Sequence, residues 1–312
     1  MEAIWRWVLV GAIAPVAWGS TYAVTRATLP PDSPLWGALL RALPAGVVLV
    51  LIVRSRPRGS WWWKSFVLGA LNVGGFFVLV YVVAQLLPSG TAATIMSLSA
   101  AVMALLGWAV LSERPTVAAL VGAAGVGIMV AGGGGTLRIE GLAASVVAML
   151  SSSLGFVLTK RWLGDERVLA VTAWQLLAGA ALLAPVAVAV ESGPPPLDAA
   201  AIGAVAYVAL PATALAYTAW FTALSHLPAG TVGIVGLLNP VTGVLLGALI
   251  GGEALGPPQI TGVGLVIVGI LIARRNRTLP QGCRPLPAAA PPPSPLLSSS
   301  PAHRRRPPGG TP

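Results

Sequence analysis

Charge is scarce in this sequence. Asp, Glu, Lys and Arg together make up 9% of its 312 residues, against roughly 25% in a soluble globular protein. So few charges cannot coat a water-exposed surface. Cysteine is nearly absent: Cys283 stands alone, which excludes an internal disulfide. The two histidines, His226 and His303, are far apart and near no cysteine, so no zinc-type spacing exists and no metal or other cofactor is implied. The run Gly132–Gly135 lacks a following Lys-Ser/Thr and is no phosphate-binding loop. With no nucleotide-binding domain, ATP-driven transport by this chain alone is excluded. A membrane enzyme would need a nucleophile–base pair, a metal cluster or a phosphate loop, and the sequence offers none.

What is present is apolar: 56% of the residues are hydrophobic and come in long runs. Breaks in the pattern predict ten spans, Trp7–Ala27, Leu35–Val53, Phe66–Leu87, Thr91–Leu111, Val117–Ala131, Gly141–Leu163, Val168–Val190, Ala199–Leu224, Gly230–Ile250 and Gln259–Ala273. Most approach the roughly 20 residues a bilayer requires. The first span outruns a signal-peptide core and no A-x-A site stands out in it, so it is expected to be retained. The net charge of +10 does not point to nucleic acid, because the basic residues sit in short loops and the tail. Arg54, Arg56, Arg58 and Lys64, then Arg114, then Lys160, Arg161 and Arg167, then Arg274, Arg275 and Arg277 all fall on one side if both termini are cytoplasmic. The other side receives Arg26 and Arg138. That asymmetry is the positive-inside pattern of a multi-pass protein of the cell (plasma) membrane. Trp5, Trp7, Trp36, Trp61, Trp62, Trp63 and Trp162 fall near expected headgroup depth. Residues 274–312, rich in Pro, Ser, Ala and Arg, read as a disordered cytoplasmic tail.

The chain is also duplicated. Pro88-Ser89-Gly90-Thr91 returns as Pro228-Ala229-Gly230-Thr231. The same shift of 140 pairs Leu105-Leu106-Gly107 with Leu245-Leu246-Gly247, Glu113 with Glu253 and Gly122 with Gly262. Earlier in each half a shift of 134 pairs Thr25-Arg26 with Thr159-Lys160, and Arg41 with Gln175. The halves are residues 1–139 and 140–273. Each holds five spans, an odd number, so the second must lie upside down relative to the first. The predicted fold is thus an all-α integral membrane protein of ten transmembrane helices in two inverted five-helix repeats. Inverted repeats are typical of secondary transporters, where the halves exchange conformations around a central site.

At these residues the sequence resembles the EamA-type ten-helix members of the drug/metabolite transporter superfamily. The carriers are Trp18-Gly19-Ser20-Thr21-Tyr22 followed by Arg26, Leu227-Pro228-Ala229-Gly230-Thr231, Leu238-Asn239-Pro240-Val241, Gly252-Glu253 and Gln259-x-x-Gly262. The resemblance covers residues 7–273. It departs at Ser99-Ala100-Ala101, which stands where the second half has Asn239-Pro240. It implies a central cavity lined by spans one to four and six to nine, with five and ten peripheral, and transport of small metabolites, often amino acids, without ATP. The expected function is secondary transport, most simply export, of a small amino-acid-like solute by alternating access. The alternative is a structural or sensory membrane subunit.

Arg41 is the charged residue well inside a span, roughly 9 Å from its outer end at 1.5 Å per residue. No Asp or Glu lies deep enough in a predicted span to pair with it. It either faces a wet cavity and holds an anionic group or snorkels to the outer headgroups. Asn239-Pro240 interrupts span nine and frees carbonyls, either for a solute or as a packing kink. Pro211 in span eight has the same two readings. Trp18, Thr21, Tyr22, Asn72, Tyr81, Ser97, Ser99, Trp174, Gln175 and Tyr217 complete the candidate solute contacts, each with helix–helix hydrogen bonding as the plainer role. Ser20, Gln85, Ser151–Ser153, Tyr207 and Trp220 belong to the same wider polar and aromatic set. Gly122, Gly125, Gly262 and the glycines from Gly264 to Gly269 suggest close packing, including a homodimer face. Glu113 and Glu253 read as caps or loop pins. The expected partners are a small-molecule substrate and the lipid bilayer.

Overall fold

The computed structural model describes residues 2–28, 33–87, 95–114, 118–130, 138–191, 193–251 and 256–275. Their apolar runs form helices because a segment in lipid must satisfy every backbone N–H and C=O internally. The helices are α1 (Glu2–Thr28), α2 (Pro34–Val53), α3 (61–86), α4 (Ser99–Leu111), α5 (Ala118–Val130), α6 (Ile139–Leu163), α7 (Val168–Val190), α8 (Ala199–His226), α9 (229–251) and α10 (Pro257–Arg275). Grouped in this way, the helical segments among the described residues overlap each of the ten expected spans, and none of those residues is in a strand. Six segments are long and apolar enough to cross a bilayer, and shorter apolar helices accompany them. α1 and α3 each begin five residues before the expected span, and α4 begins at Ser99, inside it.

Three helices are not continuous. α3 contains a π-turn at Ala70–Gly74, and α8 contains one at Leu210–Leu215. They begin 140 residues apart, the spacing of the repeat. Pro211 accounts for the second, since its ring crowds the preceding turn and it has no N–H. Gly69, Gly74 and Gly75 flank or end the first. α9 breaks at Leu237, whose N–H bonds Ile234. That is two residues before Asn239, so the expected irregularity near Asn239-Pro240 is present but begins earlier.

The helices pack mainly between the repeats. α5 lies on α10, α2 on α7 and α4 on the first part of α9. α1 packs on α8 and α9, just as α6 packs on α3 and α4. Exchanging each helix for its counterpart five places along, forward in the first half and back in the second, turns one set into the other, as two similar halves related by a pseudo-two-fold axis require. Residues 1–277 form one compact unit. Four of the glycines read as a packing face meet inside it, while Gly264 meets nothing: a Cβ at Gly125 would lie 2.8 Å from the Gly262 carbonyl, and one at Gly269 would lie 3.1 Å from Gly122 N. They let α5 and α10 approach closely.

Hydrogen bonds join connections that the basic-loop pattern assigns to a common face. Glu191, after α7, accepts from Leu35 N at 2.7 Å and Trp36 N at 2.9 Å, capping α2 with both carboxylate oxygens. At the other end, Lys160 Nζ donates to Glu113 Oε1 and to the Leu227 carbonyl, each at 2.6 Å. The second oxygen of Glu113 accepts from Ala229 N at 2.6 Å and caps α9. Arg161 donates to the Val110 carbonyl at the same junction. Each hydrogen bond to a charged group contributes about 1.5–3 kcal/mol. Glu113→Ala strands both the Lys160 ammonium and the α9 N-terminus, whereas Lys160→Ala leaves the cap intact. Thermal denaturation in detergent should therefore show the larger loss for Glu113→Ala, and equal losses would contradict this reading of the junction.

A central polar and aromatic cluster at two π-turns

In each π-turn one carbonyl loses its usual amide partner. Gly75 N–H bonds the Ala70 carbonyl and passes over Leu71. Ala216 N–H bonds Pro211 and Thr213 and passes over Ala212. Both freed carbonyls accept from the first helix of the opposite repeat. Ser151 Oγ of α6 donates to Leu71 at 3.1 Å, and Trp18 Nε1 of α1 donates to Ala212 at 3.0 Å. Irregular backbone at membrane depth persists where such partners exist.

The next layer is also paired. Arg41 on α2 and Gln175 on α7 are counterparts in the repeat, and each meets the π-turn of the other half. Arg41 Nε donates to Thr213 Oγ1 at 2.7 Å and Nη2 to the Ala212 carbonyl at 3.3 Å. Its guanidinium carbon lies 4.9 Å from the Phe77 ring centroid, within cation–π range. Gln175 Oε1 accepts from Asn72 Nδ2 at 2.8 Å, and Thr159 Oγ1 stands 3.4 Å from the same nitrogen. Tyr217 links the two sides, donating from its hydroxyl to the Asn72 carbonyl at 3.0 Å. The π-turn of α8 lies midway along a 28-residue helix, so the Arg41 guanidinium reaches into the bundle. The snorkelling alternative is thereby corrected: its side chain turns inward, where Thr213 and Ala212 hold it.

Aromatic rings wall this cluster. Trp18 meets Tyr217 at 5.2 Å and Trp220 at 5.4 Å between centroids, and Trp220 meets Phe156 at 5.4 Å. Asn72 and Gln175 are fully buried, and Asn72 Oδ1, Gln175 Nε2 and Trp220 Nε1 have no hydrogen-bond partner among the described residues. Such orphans in a low-dielectric interior are costly.

Of the expected contacts, Trp18, Arg41, Asn72, Gln175 and Tyr217 come together. Trp174 does not join them: its indole N–H donates to the Ser55 carbonyl at 3.1 Å and its ring packs on Trp61, so it holds the α2–α3 connection. Thr21 Oγ1 bonds back to Ala17 within α1. Ser97 is buried ahead of α4, and Ser99, Asn239 and Pro240 are half-buried. The Asn239 carbonyl faces Gly19, where a Cβ would approach to 2.6 Å. Trp18-Gly19-Ser20 thus has three tasks, since Ser20 Oγ pairs with the Tyr207 hydroxyl. The side chains of Tyr22, Arg26, Tyr81, Gln85 and Glu253, and the tail, lie outside the described residues. Thr213 and Phe77 were not expected. Thr213 sits two residues after Pro211, which was the available signal.

The profile of the EamA-like transporter family matches this chain twice, over residues 5–132 and 139–275. The chain belongs to the EamA-like transporter family. Among EamA relatives, Protein PecM of Dickeya dadantii (strain 3937) is 36% identical over 267 residues, 84% of this chain and 90% of that one. A protein of Streptantibioticus cattleyicolor named "Probable terminal-alkyne amino-acid exporter" is 24% identical, covering 89% of this chain and 95% of its own. A crystal structure with 22% identity superposes with a TM-score of 0.74 over 88% of this chain and 99% of that one, which shows the shared fold. Membership of a transporter family makes this a multi-pass membrane protein of that class. Among the described residues no group of three or more His, Cys, Asp or Glu is placed to hold a metal.

Proposed function

We propose that this protein is a secondary carrier that exports a small amino-acid-like solute by alternating access, with both termini on the cytoplasmic side of the plasma membrane. The observation that carries the reading is a guanidinium held halfway through the bundle, among aromatic rings and two buried amides, where the repeats meet. An intramembrane charge facing the bundle interior marks a solute path, and a few polar groups among apolar walls make a small-molecule site. The printed name of the S. cattleyicolor relative supports an amino-acid class. Arg41, Trp18, Asn72, Gln175 and Tyr217 would contact the solute, with Thr21, Ser97, Ser99, Asn239 and Pro240 nearer its path.

The test is counterflow in proteoliposomes across neutral and aromatic amino acids, carboxylates, sugars and nucleobases. Saturable exchange of one class is the expected result. No exchange of any class by folded protein would favour a structural or sensory subunit instead.

A further inference from the structure

Trp18 and Arg41 come from different helices, yet both donate to one oxygen, the Ala212 carbonyl. That oxygen is the one passed over by the Ala216 N–H. Two donors, one of them cationic, therefore converge on a single acceptor position at the centre of the bundle. A neutral carbonyl is a modest partner for them. A carboxylate oxygen in the same place would make the Trp18 bond charge-assisted, about twice as strong as a neutral one, and would add an ion pair with Arg41. The Trp220 ring, 5.4 Å from that of Trp18, carries a buried indole N–H with no partner among the described residues. The adjoining rings of Trp18, Tyr217, Trp220 and Phe156 offer an apolar wall.

We propose that the Ala212 carbonyl holds the place of a solute carboxylate: the Trp18 indole N–H and the Arg41 guanidinium form an oxyanion site, and a carboxylate-bearing solute displaces the carbonyl from it. This rests on the carrier reading above and names the substrate class. It also links binding to the backbone. Once released, the Ala212 carbonyl is free to take the Ala216 N–H in ordinary i→i−4 register, so that occupancy and the π-turn of α8 change together. The matching turn in α3 lacks this property, because its freed carbonyl is capped by the neutral Ser151 hydroxyl.

The experiment compares matched pairs in counterflow, L-phenylalanine with L-phenylalaninamide and L-methionine with L-methioninamide, using full-length protein. Wild type should prefer each acid over its amide at least about 10-fold in half-saturation, the factor expected from one charge-assisted bond. Trp18→Phe keeps a ring but removes the N–H, and should reduce that preference about 10-fold while amide exchange persists. Ser151→Ala, which uncaps the other π-turn, should leave the ratio unchanged whatever it does to rate or stability. Equal use of acid and amide by wild type, or a preference untouched in folded Trp18→Phe, would overturn the oxyanion site and leave the carrier reading standing. No exchange of any solute in the wider panel would overturn both.

Discussion

Arg41→Ala protein is expected to fold at least as well as wild type and to lose counterflow. The two halves of that expectation have separate causes. Placing an arginine at the centre of a membrane helix costs about 2.5–3.5 kcal/mol on insertion scales. The hydrogen bonds to Thr213 and Ala212 and the Phe77 contact offset part of it. Removing the side chain leaves little uncompensated, because Thr213 Oγ1 also donates to the Val208 carbonyl at 2.8 Å and Ala212 still accepts from Trp18. The melting temperature should therefore hold or rise, and Arg41→Met, which restores volume, should rise further. Transport should fall by roughly 10- to 100-fold, since a charged hydrogen bond to the solute worth about 1.5–3 kcal/mol is lost. Stability traded for activity in this way identifies a functional charge. Melting temperature and transport falling together would instead make Arg41 a structural pin.

Gly155→Ala should be the most damaging single-methyl change near the centre. Gly155 lies on α6 directly against the α3 π-turn. A Cβ there would fall well inside van der Waals contact of Asn72 Oδ1 and 2.9 Å from Leu71 Cβ. Asn72 cannot swing away freely, because its amide is bound to Gln175 and its backbone carbonyl to Tyr217. Overpacking of this kind costs about 1–3 kcal/mol, and breaking the buried amide pair adds to it. The expected result is a clear drop in melting temperature together with lost transport. The double variant Gly155→Ala/Asn72→Ala should recover part of the stability, because it removes the Asn72 amide that collides and leaves the Leu71 Cβ contact, but should not recover transport. Full tolerance of Gly155→Ala would mean the contact between α6 and α3 is looser than the distances imply.

Hydropathy and the loop charges made the helical segments legible because bilayer spans obey one dominant rule, a run of apolar residues of fixed length. The duplication was legible because Pro-x-Gly-Thr and the following Glu recur at a constant spacing. The π-turns were not, since a one-residue change of register leaves hydrophobic composition untouched. Asn72 was legible as a polar candidate and Pro211 as a kink, but not their partners, because Gln175, which Asn72 bonds, and Trp18, which bonds the carbonyl next to Pro211, lie more than 100 residues away. Phe77 reads in sequence as one more apolar residue of α3, and nothing local tells the ring under a guanidinium from a ring facing lipid. Trp174 shows the opposite limit: an indole beside Gln175 looks like part of the same site, but one step along a helix turns a side chain by about 100°. Glu191 was overlooked for the same reason, as its partners begin α2.

The packing between repeats bears on how the protein is made. α1 is complete at residue 28, but α8, which supplies the acceptor for Trp18, ends at His226. At roughly 5–20 residues per second, synthesis of the intervening chain takes on the order of 10–40 s. During that interval Trp18, and Arg41 once α2 has been made, wait without the carbonyl of α8 that will hold them. Asn72 likewise waits for Gln175. The first five helices must remain in the membrane as separately inserted, incompletely assembled segments until their complements emerge. Assembly is therefore a late and collective event, and the stretch of chain most exposed to quality control is the half that was synthesised first.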